Sequence, residues 1–117
     1  MKPSDGPQAI FSLDEARQLL PRVKHVTADA VRRTESLAAQ LHGLGEEDPD
    51  HETLSAALRD VVDGWAAEVQ LLGPRARGVW LVDFDNGQGY YCWAYPEAGI
   101  THYHAYGDAF DVRLGIH

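Results

Sequence analysis

Between residues 72 and 79 the spacing of apolar side chains changes period, and that change constrains the fold more than any other feature. Before it, apolar residues recur every three or four positions, as on a helix with one buried face. After it, β-branched and aromatic residues predominate in short runs, as they do in strands. The chain is predicted to form a single domain over residues 11–117, with a helical hairpin at 11–73 and a β-rich tail at 78–117. Residues 1–10, with two prolines and a glycine, read as a flexible leader.

In the first half, Ser12-Leu13-Asp14-Glu15 fits a capping box, in which hydroxyl and carboxylate each satisfy an otherwise unpaired N–H at a helix start. Ala16, Leu19, Leu20, Val23, Val26, Ala30, Leu37 and Leu41 then form one apolar stripe, so the spacing predicts a helix to about His42. Pro21 falls inside it. Its ring removes one main-chain hydrogen bond and crowds the preceding turn, which predicts a kink or a restart there. Gly43 to Asp50 reads as a tight connector, with Asp48 as N-cap and Pro49 in the first turn of a second helix. Leu54, Leu58, Val61, Trp65, Val69 and Leu72 supply its stripe, and Gly73-Pro74 ends it. A hairpin covers only one side of each stripe, so the remaining apolar area predicts a covering sheet or a homodimer.

In the second half, Arg75 to Gly78 reads as a basic connector. Strands are predicted at Val79 to Phe84, Tyr90 to Tyr95 and Ile100 to Tyr106, separated by Asp85-Asn86-Gly87 and by Pro96 to Gly99. From Gly107-Asp108 to Arg113 and His117 the tail reads as irregular. The expected architecture is α+β: a long antiparallel helical hairpin followed by a small antiparallel three-stranded meander.

Charge narrows the function. Lys plus Arg number 10 against 18 Asp plus Glu, a net charge of -8, so no basic surface is available to track a phosphate backbone and nucleic acid is not an expected partner. No apolar run approaches the roughly 18 residues of a membrane span. Cys92 is the only cysteine and the N-terminus has no apolar signal core, which predicts a soluble protein in a reducing cytoplasm. There is no GxGxxG, P-loop, GxSxG or CxxC.

His102-Tyr103-His104 is the sharpest local pattern. On a strand both imidazoles project to one face, about 6–7 Å apart at Cα, close enough to ligate one metal ion. Further ligands would come from Glu68, Asp83, Cys92, Glu97 or Asp108, and iron or zinc suits such a mixed set. Glu68 lies three residues after Trp65 on the apolar stripe, where a carboxylate needs a metal, a donor or an arginine such as Arg113. Strand register decides which groups meet. If Tyr95 pairs with Ile100, then Trp93 and Tyr91 face His102 and His104, while Cys92 lies on the other side with Leu81 and Asp83. With a turn one residue longer, Cys92 sits opposite His104. The shorter turn is the expectation, with Cys92 as a small buried residue. Asp83 before a turn reads alternatively as a cap of the local backbone, and the five tyrosines read mainly as packing residues. His25, His42 and His51 read as solvent-facing, His117 as terminal, and Asp108 with Asp111 as a solvated acidic pair.

Phe11-Ser12-Leu13-Asp14-Glu15-Ala16, Leu19-Leu20-Pro21, Leu81-Val82-Asp83-Phe84, Cys92-Trp93, Glu97, Ile100, His104, Gly107, Phe110 and Arg113 together resemble the bacterial domain of unknown function 2203 family over nearly the whole chain. The resemblance implies a helical hairpin followed by a distinctive tail and assigns no reaction. The chain departs from the pattern at Ala105, where an acid usually follows the histidine, and at His102, where an aromatic is usual. Two functions emerge from the reading. One is a metal-binding protein with His102 and His104 as ligands and Glu68, Asp83 or Cys92 completing the shell. The other is a non-enzymatic module whose helical hairpin dimerises or docks a partner.

Overall fold

A computed structural model of the chain describes residues 9–108 and 113–116. Most of the expected leader, together with Phe110, Asp111 and His117, lies outside the described residues.

Helix α1 spans Leu13–His42 and starts at the capping box: Glu15 N donates to Ser12 Oγ at 3.1 Å and Ser12 N to Glu15 Oε1 at 2.8 Å. It runs unbroken through Pro21, which is exposed, so of the two expectations there, a kink or a restart, the restart does not occur. Helix α2 spans Pro49–Leu72, with Asp48 accepting from Asp50 N at 2.9 Å. Gly73 ends it at φ 122, a left-handed conformation that side chains disfavour, and a Cβ there would lie 2.9 Å from the Phe11 ring. The two helices pack as the expected antiparallel hairpin.

The sheet has five strands rather than three: β1 (Arg75–Gly78), β2 (Leu81–Asp85), β3 (Gly89–Ala94), β4 (His102–Ala105) and β5 (Leu114–Gly115). They lie side by side in chain order, each antiparallel to the next. The expected basic connector is strand β1, hidden because Arg75 and Arg77 are polar and Ala76 between them is too small to mark an apolar alternation. β5 has two residues, too few to show any alternation. The β2–β3 loop is the expected turn: Asn86 Oδ1 accepts from Gln88 N and Gly89 N, and Asp85 Oδ1 from Gly87 N.

One face of the sheet, with Val82, Phe84, Tyr91 and Trp93, packs against Ala16, Leu20 and Val23 of α1 and Trp65 and Val69 of α2. Phe11 meets Phe84 edge-on at 5.4 Å, and Phe11 N donates to Asp85 O at 2.7 Å, which fixes the start of α1 to the sheet. Within the helical seam, Trp65 Nε1 donates to the buried Thr27 hydroxyl at 2.8 Å. Trp80, in the β1–β2 turn, holds φ 65 and meets Trp65 edge-on at 4.9 Å. A left-handed conformation costs a tryptophan about 1–2 kcal/mol, and the ring contact offsets part of that.

Candidate functional site

The register between β3 and β4 places Tyr90 opposite His104, Tyr91 opposite Tyr103 and Cys92 opposite His102. This is neither the expected pairing nor the longer-turn alternative. No tight turn forms at Pro96–Gly99. Instead residues 95–101 make a broad loop, with a cis Tyr95–Pro96 peptide, that sends Ile100 into the core to which β3 already contributes Trp93. Glu97 folds back inside it: its N–H donates to Ala94 O at 2.8 Å, its carboxylate accepts from Ala94 N at 2.9 Å, and its carbonyl accepts from Trp93 Nε1 at 2.8 Å.

Strand alternation then puts Asp83, Tyr90, Cys92, His102 and His104 together on the face turned away from the helices. That face is not solvated: Asp83, Cys92 and His104 are fully buried and Tyr90 nearly so. The expected separation of Cys92 and Asp83 from the histidines is therefore wrong, because the pairing differs by one residue from the assumed one.

The buried charges are joined in chains. Arg77 Nε donates to Asp83 Oδ2 at 2.8 Å, and the other oxygen of Asp83 lies 3.0 Å from His104 Nε2. His104 Nδ1 lies 3.1 Å from Ala105 O, so both ring nitrogens face oxygen acceptors. Arg75 Nη1 donates to the Tyr90 hydroxyl at 2.7 Å, and the Arg75 and Arg77 guanidiniums lie over the Tyr90 ring at 5.6 and 5.3 Å. Asp83 is thus a buried junction rather than a cap of the following turn.

A second chain runs through Arg113. Its Nη1 and Nη2 donate to the two carboxylate oxygens of Glu97 at 2.8 and 2.9 Å, and its Nε donates to Cys92 Sγ at 3.1 Å. Burial pushes the Glu97 carboxyl up, but the Arg113 fork and the Ala94 N–H outweigh it and hold the group below the usual glutamate range. Burial dominates at Cys92 and raises its thiol in spite of Arg113, which leaves it protonated and a poor nucleophile at neutral pH. At the rim, the Tyr106 hydroxyl donates to Asp85 Oδ1 at 2.7 Å and is pushed up to about 12 by that bond.

Four of the five expected ligands, His102, His104, Asp83 and Cys92, thus share one face, while Glu68 does not join them. Glu68 is exposed on α2, because the stripe of Trp65 and Val69 turns it outward, and Arg113 pairs with Glu97 instead. Among the described residues no group of three or more His, Cys, Asp and Glu side chains is disposed to hold a metal ion. Asp83 and Cys92 are already engaged by arginines, and His102 Nδ1 lies 2.9 Å from the Thr101 hydroxyl. Sequence reasoning missed Arg75, Arg77 and Tyr90 as members of the layer; the Arg-x-Arg spacing before a strand was the available signal. Asp108 is half-buried in the turn after β4, where its N–H donates to Ala105 O.

Glu68 instead borders a groove of about 470 Å³ between the helices, lined by Pro21, Arg22, His25 and Val26 of α1 and by Leu71 and Leu72 of α2. Leu71 is 88% exposed, the most exposed large apolar side chain among the described residues. No described helix is long and apolar enough to cross a membrane.

No curated protein and no solved structure matches the chain. The family model described as "Uncharacterized conserved protein (DUF2203)" matches residues 9–116, which include both helices, all five strands and the whole polar layer, and the chain belongs to that family.

Proposed function

We propose that this protein is a non-enzymatic interaction module whose helical hairpin pairs with a second copy of the same chain. The observation that carries the reading is Leu71, 88% exposed at the lip of an apolar groove. The groove is bordered by Arg22 from one helix and Glu68 from the other, so it is self-complementary. A two-fold arrangement brings Leu71 of each copy over Val26 and Leu72 of the other, with Arg22 against Glu68 of the second copy. The setting is a reducing cytoplasm, in keeping with the one cysteine as a buried free thiol. Sedimentation velocity tests the pairing. A dimer is expected at about 100 µM, a concentration that even modest affinity reaches, with Leu71→Glu monomeric at unchanged helicity. Arg22→Glu with Glu68→Arg should dimerise while either alone does not. A wild-type monomer throughout that range would sink the proposal.

One observation favours a second reading, an iron or zinc site: the register brings His102, His104, Asp83 and Cys92 to the same face. Such a site would require Arg77 to release Asp83 and Arg113 to release Cys92. Untagged protein with stoichiometric metal, losing thermal stability on chelation, would support it; metal-free protein whose melting is indifferent to added zinc would remove it.

A further inference from the structure

We propose that Arg17 and Lys24, with the turn Ala98–Thr101, form a binding site for a small oxyanion, the carboxylate or phosphate group of a small organic molecule. Acids outnumber bases in this chain, and most described arginines have found them: Arg32 and Arg33 meet Asp29, Arg59 meets Glu52, Arg77 meets Asp83 and Arg113 meets Glu97. Arg17 and Lys24 pair with no described carboxylate. Arg17 Nη2 donates instead to Ile100 O at 3.1 Å, and Lys24 Nζ to Ala98 O at 2.9 Å. These contacts hold both cations at the turn without neutralising them, and each retains further donors. Of the acids flanking these elements, Glu15 is held in the capping box and Glu97 by Arg113.

The spacing of Arg17, Pro21 and Lys24 puts all three on one face of α1. With Leu20, Ala98, Gly99, Ile100 and Thr101 they line a groove of about 360 Å³ containing two positive charges, a hydroxyl and no acid. Its apolar side is Leu20, Pro21 and Ile100, so a ligand with a short hydrocarbon part beside its anionic group suits it. The N–H groups of Ala98 and Gly99 have no described acceptor, and a Cβ at Gly99 would have nothing within 4 Å, so the backbone there is open to an approaching oxygen. Convergent cations and free amides are the donor set by which proteins hold oxyanions. The site shares Pro21, and no other lining residue, with the groove proposed to pair the helices.

The test is amide NMR of the whole chain, titrated with methyl phosphate and separately with acetate at constant ionic strength set by chloride. Saturable shifts confined to Ala98–Thr101 and α1 around Arg17 are expected, and the probe that saturates at lower concentration identifies phosphate or carboxylate as the preferred group. Arg17→Gln with Lys24→Gln should weaken the affinity by about tenfold for each charge removed. Arg17→Lys with Lys24→Arg, which keeps both charges at the turn, should still bind, and Arg32→Gln with Arg33→Gln should bind as wild type. Shifts that rise linearly with either probe, or a double glutamine variant that binds as tightly as wild type, would overturn the site.

Discussion

Val82 and Asp83 are neighbours in β2, both fully buried, and they face opposite sides of the same sheet. The side of Val82 is an ordinary apolar interior built from two helices and four aromatic residues of the sheet and its turn, Trp80, Phe84, Tyr91 and Trp93. The side of Asp83 is an interior of a different kind, closed by arginine–carboxylate pairs, an imidazole and a thiol. Removing apolar area from water stabilises the first side without regard to direction. The second depends on each charge meeting a partner at hydrogen-bond distance, since a buried charge left alone costs several kcal/mol. The helix-facing side should therefore tolerate changes that keep volume, and the outer side only changes that keep charge and geometry.

The sharpest way to break this comparison is to truncate the two neighbours in turn. Asp83→Ala should lower the unfolding free energy by about 3–5 kcal/mol, because it leaves Arg77 and His104 facing an emptied site. Val82→Ala should lower it by about 2 kcal/mol, from lost methyl burial and a small cavity. Urea denaturation measures both, and an aspartate variant more stable than the valine variant would show the outer layer to be ordinary surface. Next in size is Thr27→Val, which keeps shape but strands the Trp65 indole N–H. A loss of about 1–2 kcal/mol is expected, and a neutral result would mean that the apolar side has no directional tie at all.

A smaller effect concerns pH. The folded Glu97 carboxyl lies below its ordinary range, so it contributes stability at neutral pH that is lost as pH falls through the ordinary glutamate range toward the folded value. Glu97→Gln should flatten the acid limb of stability plotted against pH while leaving the neutral region less stable than wild type. Smallest is the thiol. Cys92 should react with a disulfide reagent at neutral pH only at the rate of unfolding, and fast labelling of the folded protein would show the outer layer to be open.

The two sides also differ in how far the sequence discloses them. The helical hairpin, its capping box and its stripe are legible because period and caps are local properties of consecutive residues. Thr27 escapes because a hydroxyl interrupts the stripe, although Trp65 makes that position part of the core. The outer layer is legible only in its parts. His102, His104, Asp83 and Cys92 can be picked out by residue type, but their assembly depends on the β3–β4 pairing. That pairing goes with the wide loop at 95–101, where Glu97 satisfies the backbone from inside, and no local pattern around Pro96–Gly99 announces it. Arg75 and Arg77 look like a linker because their apolar partner, Ala76, is small, and a strand two residues long carries no period.

Every strand in the sheet has as neighbours only the strands next to it in the chain. The search for each pairing is therefore short, and the loop-closure entropy of each step grows only slowly with the few residues between strands. The helical hairpin has the same character, so the docking of the sheet onto the helices is the main long-range event the chain must complete. Such a topology favours fast folding by successive addition of hairpins. It also places the Arg113–Glu97 pair, which fastens the last described segment back onto the β3–β4 loop, among the final contacts to form. Substitutions there should speed unfolding and leave the folding rate nearly unchanged.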